Sequence, residues 1–281
     1  MVKCKIFTNS VSDIPASLAR QYDIGIVPDI VISDEKEYYC GIDIHPPQLY
    51  ELMRHSSELP TTSHPNTFIY ENSFREAADY QEILCLNITS VMSGSFRTAS
   101  TAAQALAEEG FGPRVYTWDS LQVSCGLTLL VLEAARMAQE GKGAEEIIAR
   151  LDSLRPRVGL YFALKTLDNA RKGGRIGEIK FFAAGLLKIV PMLAFRDGTV
   201  KDIGMIRHFD RAVNTLATYF EKFAQKGRRV LIYHGNNEKD ALRLKDLVSA
   251  IDPEADIVID WVGPAIGIYA GEGSIAIAFH Q

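Results

Sequence analysis

A chain of 281 residues, 47% hydrophobic and 23% charged, is long enough for two domains of ordinary size and too apolar for a disordered polymer. Thirty basic against thirty-five acidic side chains leave a net charge of −5, without the basic surplus of a nucleic-acid binder. Six histidines lack the spacing of a metal site. Four scattered cysteines, Cys4, Cys40, Cys85 and Cys125, read as reduced, buried thiols of a cytoplasmic protein.

The start, MVKCKIFTNS, has no secretory apolar core and reads directly as a strand. IPASLARQY follows as a short amphipathic helix, IGIVPDIVI as an extended run and PPQLYELMRH as a helix with prolines at its start. EILCLNI is a strand, SFRTASTAAQALAEEG a helix, RVYTW a strand and LTLLVLEAARMAQEGKG a long helix ending at glycine. Strands alternating with helices predict a parallel, Rossmann-like sheet. On such a sheet the polar loops TNSVSD, TSVMSGS and DSLQVS fall along one edge, where ligands bind.

Beyond about residue 156 the pattern changes. GLYFALKTL, IVPMLAF and TVKDIGMI read as strands, the last two joined by an Asp-Gly turn, so antiparallel pairing enters. DRAVNTLATYFEKFAQKG and EKDALRLKDLVSAID are helical, and RRVLIYH and ADIVIDWVG are strands. The expectation is an α/β protein of two domains: residues 1–155 with a parallel sheet and residues 156–281 with a mixed sheet.

Within the second half, FFAAGLLKIVPMLAF (181–195) carries a single charge, Lys188. It is shorter than the ~20 apolar residues of a membrane-spanning helix. No phosphate-cradling loop, nucleophile elbow or zinc-protease motif occurs, and GEGSIA holds only half of a dinucleotide fingerprint. Four polar segments stand out. PTTSHPN places Thr62, Ser63 and His64 together, as a surface turn or a ligand contact. SGS offers the Ser93 hydroxyl and free helix N–H groups, for an anion or as an ordinary cap. RKGGRIG sets two glycines beside Arg175, whose guanidinium either grips an anionic oxygen pair or caps a helix. GPAIGIYAGEGSIAIAF is glycine-punctuated around Tyr269 and then strand-like.

In order and spacing these segments resemble the DegV family of bacterial lipid-binding proteins, nearly end to end. IFTNSVSDIP stands for the family's T-D-S-x-x-D-[IL]-P, TSHP for T-S-Q-P, and SVMSGSFRTA for S-x-L-S-G-T-Y-x-x-A. WDS then SCGL follow, and YFALKTLDNARKGGRIG with the closing GPAIGIYAGEGSIAIAF is the most specific pair. The resemblance implies a fatty acid held in a tunnel between two domains, with no other cofactor and no metal. It also implies a separate ATP-binding kinase that phosphorylates the carboxylate for phospholipid synthesis. Such a chain is not itself an enzyme; it spans no membrane but has occasion for transient contact with a membrane surface.

By that resemblance Thr62, Ser63, Ser93, Gly94, Tyr269 and Arg175 form the carboxylate site, with His64 and Ser95 as further head-group contacts. Phe181, Leu186, Leu187 and Ile189 are expected to line the tunnel, and Arg207 to face the kinase. Burying roughly fourteen methylenes at ~0.8 kcal/mol each gives a gross gain of about 11 kcal/mol, before ordering costs. Three positions depart from the family pattern: Tyr269 replaces a histidine, His64 a glutamine and Val190 a lysine. Two other readings share these residues. One is acyl transfer or hydrolysis with Ser93 as nucleophile and His64 as base; the other is a sensor whose lipid occupancy acts on a protein partner.

Overall fold

Residues 3–176 and 189–281 are described by a computed structural model. In chain order the first half runs β1 (Cys4–Asn9), α1 (Ala16–Gln21), β2 (Gly25–Val27), β3 (Ile30–Ser33), β4 (Lys36–Tyr39) and α2 (Pro46–His55). It continues through β5 (Thr61–Ser63), α3 (Thr67–Arg75), β6 (Glu82–Asn87), α4 (Ser95–Glu108), β7 (Arg114–Asp119), α5 (Ser124–Gln139) and α6 (Ala144–Leu154). The second half comprises β8 (Val158–Ala163), α7 (Asp168–Lys172), β9 (Ile189–Arg196), β10 (Thr199–Arg207), α8 (Phe209–Phe223) and β11 (Arg229–His234). Then come α9 (Glu238–Ile251), β12 (Asp256–Trp261), α10 (Pro264–Ala270) and β13 (Ile275–His280).

The expected parallel sheet is present, in the order β2-β1-β6-β7. Its central strands β1 and β6 are short apolar runs buried on both faces, which is why they read without alternation. A separate mixed sheet has the order β10-β9-β8-β13-β11-β12, antiparallel except for the β11–β12 pair. A small antiparallel sheet, β4-β3-β5, was not foreseen: it makes Thr61–Ser63 a strand where a turn was one reading. Three-residue strands are too short to display a period of two.

Helix α5 lies between the two large sheets and contacts β1 on one side and β8, β11 and β13 on the other. Twelve of its residues, from Ser124 to Met137, are buried, because a helix apolar on nearly every face has nowhere to go but the interior. On the mixed sheet, alternation divides the strands. Tyr161, Met192 and Ala194 point toward α8 and α9, whereas Leu160, Phe162, Leu193 and Phe195 point back toward α5 and the parallel sheet. All four cysteines are buried and unpaired.

Two contacts hold the loops at the carboxyl edge. Asn9 and Asn87, at the ends of β1 and β6, both bond the Tyr70 hydroxyl of α3, at 2.5 and 3.1 Å. The Asp197–Gly198 turn of the β9–β10 hairpin has positive φ at both residues, as tight hairpins require. Its Gly198 carbonyl accepts a 3.1 Å hydrogen bond from the Thr89 hydroxyl in the loop after β6. That bond ties the two sheets together beside the candidate site.

Helix α3 starts at the cap that the sequence TSHPN supplies: the Asn66 side chain accepts from the Ile69 backbone N–H at 3.0 Å. Replacing Asn66 by alanine is expected to lower stability by about 1 kcal/mol, read as a shifted urea midpoint at unchanged slope.

Candidate functional site

A cavity of about 390 Å³ opens between the parallel and mixed sheets. Its volume falls within the range of small-ligand pockets. Much of its wall is hydrocarbon: Phe162, Leu164 and Leu167 from β8 and the turn after it, Leu193 and Phe195 from β9, and Ile266 from α10. Polar groups gather along the segments that the sequence singled out. Thr62, Ser63, His64, Ser93, Gly94, Arg175 and Tyr269 all line this one cavity, although they come from four separate parts of the chain.

Each is placed by its local structure. Thr62 sits on β5, held to β3 by the Val31–Thr62 pairing, and shares a 2.6 Å hydrogen bond with the Tyr269 phenol of α10. Gly173 ends α7 against the Tyr269 ring: a Cβ there would lie 2.2 Å from Cε1 and 2.4 Å from Cδ1. The missing side chain is what admits the ring. Arg175 donates to the Gly173 carbonyl at 2.5 Å, and its guanidinium lies 5.5 Å from the Tyr269 ring centroid, within cation–π range. Glycine, tyrosine, threonine and arginine thus form one contiguous assembly.

On the other side, Ser93 Oγ takes a hydrogen bond from the Ser95 N–H at 3.2 Å and shares another with Ser95 Oγ at 2.9 Å. From the position before the Gly94 N-cap it thus satisfies one free N–H of the first turn of α4, and it still lines the cavity. Ser95 is fully buried behind it and does not line the cavity, so any effect it has on a head group passes through Ser93. The imidazole of His64 lies over Gly94, where an added Cβ would come within 2.8 Å of two ring atoms. Ser93 Oγ is bonded to Ser95 rather than to His64, so the pairing needed for a serine nucleophile is not formed.

Of the expected tunnel residues, Phe181, Leu186 and Leu187 lie outside the described residues. Ile189 begins β9 opposite Arg207 and is not part of the cavity wall, which takes Leu193 and Phe195 from that strand instead. Arg207 is exposed at the end of β10, away from the wall. Among the described residues, no cluster of three or more His, Cys, Asp or Glu side chains suits a metal ion. Among the same residues, no helix is long and apolar enough to cross a membrane.

Sequence reasoning passed over one charged wall residue. Asp29, 4% exposed, lines the cavity just before β3. Its Oδ2 accepts from the Ser10 hydroxyl at 2.8 Å and the Val11 N–H at 3.3 Å. Burial pushes this carboxyl up to about 7, against the lowering pull of those donors. No local pattern marks an acid that will be buried; the partner on the preceding loop decides it.

The arrangement can seat an amphiphile: a polar end with acceptor oxygens among hydroxyls and a guanidinium, and an apolar body against leucine and phenylalanine. A DegV domain-containing protein of Halalkalibacterium halodurans is 28% identical over 285 residues, covering 100% of this chain and 99% of its own. A solved structure described as fatty acid binding of a DegV family protein from Thermus thermophilus superposes with a TM-score of 0.90, at 27% identity and 100% coverage of both chains. The fatty acid kinase B3 protein of Streptococcus pneumoniae, loaded with linoleic acid, shares the fold at a TM-score of 0.86 and 23% identity, over 100% of this chain and 99% of that one. A family model described as an uncharacterised protein of the DegV family matches residues 3–281. With the model matched over nearly its whole length, this chain belongs to the DegV family.

Proposed function

We propose that the protein holds a long-chain fatty acid in the cavity between its sheets and presents the carboxylate to a separate ATP-dependent kinase, for acyl phosphate formation in phospholipid synthesis. The observation that carries this reading is one cavity with a largely hydrocarbon wall, lined also by polar residues from the four segments that the sequence singled out. Thr62 and Ser93 bind the carboxylate, Ser63 and the Gly94 backbone support it, and Tyr269 donates from its phenol. Arg175 orders this network through the Tyr269 ring, and His64, over Gly94, adds a further head-group contact. In this reading the chain is a binding subunit with residues 1–155 and 156–281 as its two domains. It works in the cytoplasm, touches membranes only transiently, and offers Arg207 to the kinase.

Mass spectrometry of the purified, denatured protein is expected to release a stoichiometric fatty acid. A pocket that is empty and takes up no added fatty acid overturns the proposal. Acyl phosphate formed from the loaded protein by an added ATP-binding kinase subunit tests the partnership. Thr62→Val removes one donor and leaves the Tyr269 phenol without its partner. Affinity is expected to fall about tenfold, the low end of the roughly 1.5–3 kcal/mol that a hydrogen bond to a charged group contributes, because the Ser93 hydroxyl still binds the carboxylate.

A further inference from the structure

Among the described residues, Asp29 is the only acid on the cavity wall. The small sheet's ladder continues past β3 to reach it: next to the Ile30–Tyr39 pair, the Cys40 N–H donates to the Asp29 carbonyl at 2.9 Å. Side chains alternate along a strand, so Asp29 shares a face with Val31, whose cross-strand partner is Thr62. Val31 and Cys40 pack in one cluster with Tyr269, so this face is the one turned toward α10. Asp29 and Thr62 are therefore diagonal neighbours, roughly 7–8 Å apart along the sheet. One carboxylate, with an oxygen toward each, can bridge that spacing.

The two Asp29 oxygens differ. Oδ2 is taken by the Ser10 hydroxyl and the Val11 N–H, whereas Oδ1 has no hydrogen-bond partner among the described residues and is not sealed in. At 4% exposure, the surface this side chain keeps opens on the cavity that it lines. The titratable groups around it are Asp13 on the loop after β1, Cys40 after β4 and Tyr70 on α3, with His64, Arg175 and Tyr269 on the same cavity. No ion pair reaches it among the described residues; hydrogen bonds alone oppose the burial that raises this carboxyl to about 7.

We infer that Asp29 is a head-group contact that meets the ligand as an acid: its carboxyl donates from Oδ1 to the fatty carboxylate held by Thr62, and the protein takes up a proton from solvent as it binds the anion. The inference rests on the fatty-acid reading above. Two carboxylates side by side against a largely hydrocarbon wall cannot both stay ionised, because each repels the other and neither is fully solvated. An incoming anion therefore raises the Asp29 carboxyl beyond its value of about 7 in the free protein. Below that pH Asp29 already carries the proton and binding takes up none. Above it the proton is drawn from solution, and affinity falls by up to about tenfold per pH unit.

Titration calorimetry of lipid-stripped protein with monomeric dodecanoic acid, in buffers of different ionisation enthalpy, counts the proton directly. Uptake is expected to be near zero at about pH 6 and to approach about one proton per ligand at about pH 8.5; no uptake at the higher pH overturns the inference. Dodecan-1-ol brings no charge to Asp29 and should keep its affinity across that range. A parallel loss for acid and alcohol would reflect a general loosening of the fold and overturns the inference. Asp29→Asn keeps an acceptor for Ser10 and Val11, and is expected to bind dodecanoic acid without uptake and with a flat pH profile. Uptake that persists in this variant belongs to His64 or to the ligand's own carboxyl, and overturns the inference. If Asp29→Asn does not fold, Ser10→Ala, which removes a donor to the carboxylate, should move the onset of uptake to higher pH; an unmoved onset overturns the inference. Failure of the wild-type protein to bind either dodecanoic or hexadecanoic acid at any pH overturns the fatty-acid reading instead.

Discussion

Replacing Gly173 by valine is expected to weaken fatty-acid binding by on the order of a hundredfold, more than the loss of any single head-group hydroxyl. The backbone at Gly173 has φ −76°, which any residue adopts, so the effect is steric. A Cβ would overlap the Tyr269 ring at 2.2 Å, and that ring is packed into the core around Leu49, Tyr50 and Ile268. If the ring moves, the 2.6 Å bond to Thr62 breaks and Arg175 loses the aromatic face beneath it. Gly174 is a suitable contrast. Its φ of +68° makes alanine there strained, but an added Cβ meets nothing, so the variant should lose some stability while binding survives. A double-mutant cycle reads the steric claim directly. With Tyr269 cut to alanine, Gly173→Val should cost almost no further stability, and equal cost in both backgrounds would show that the ring is not the obstacle.

The buried acids predict an unusual pH dependence. Asp13 is 8% exposed; its Oδ2 accepts from the Ser124 hydroxyl at 2.5 Å, while Oδ1 faces Gly263 without an aligned partner. Burial first, then the nearby carboxylates of Asp260 and Asp29, push it from 3.8 to about 8, against the lowering pull of Ser124. With Asp29 raised to about 7, the fold holds two carboxyl protons that the unfolded chain releases above pH 3.8. When the native state binds more protons than the unfolded one, stability falls as pH rises. The stabilisation is complete below 3.8 and gone above about 8, changing by up to about 1.4 kcal/mol per pH unit for each group. His234 and His280, held below 6.5 by burial, act in the opposite sense as pH falls, so the acid signal is cleanest between about 6.5 and 8. Urea midpoints should decline across that window in the wild type. Asp13→Asn, neutral at every pH, should flatten the decline and be the more stable protein at its upper end. A wild-type midpoint that rises there, or an Asp13→Asn profile just as steep, would mean the carboxylate is ionised in the fold.

Much of the architecture was legible because the signals were local. Apolar runs such as EILCLN and RVLIYH declare themselves without reference to the rest of the chain, and Asp197–Gly198 announces its hairpin. Elements whose cause is tertiary were harder to read. Helix α10 begins GPAIGIYA, poor in helix propensity, and forms because Ala265, Gly267 and Ile268 are buried; a Cβ on Gly267 would lie 2.7 Å from Leu49. That the polar segments meet in one cavity came through family resemblance rather than from any one segment, since each polar stretch alone fitted a cap or a turn. The apolar wall could be half foreseen: alternation in VGLYFA and IVPMLAF sorts inward from outward residues. It does not reveal that Leu160 and Phe195 meet.

Helix α5, enclosed by both sheets, has a thermodynamic corollary. Its middle amides around Leu129 to Leu132 cannot reach solvent unless one sheet lifts away, so their hydrogen exchange should report the free energy of whole-molecule unfolding rather than local breathing. Heating should then melt the two halves in one step, the helix serving as the shared keel on which neither half rests alone.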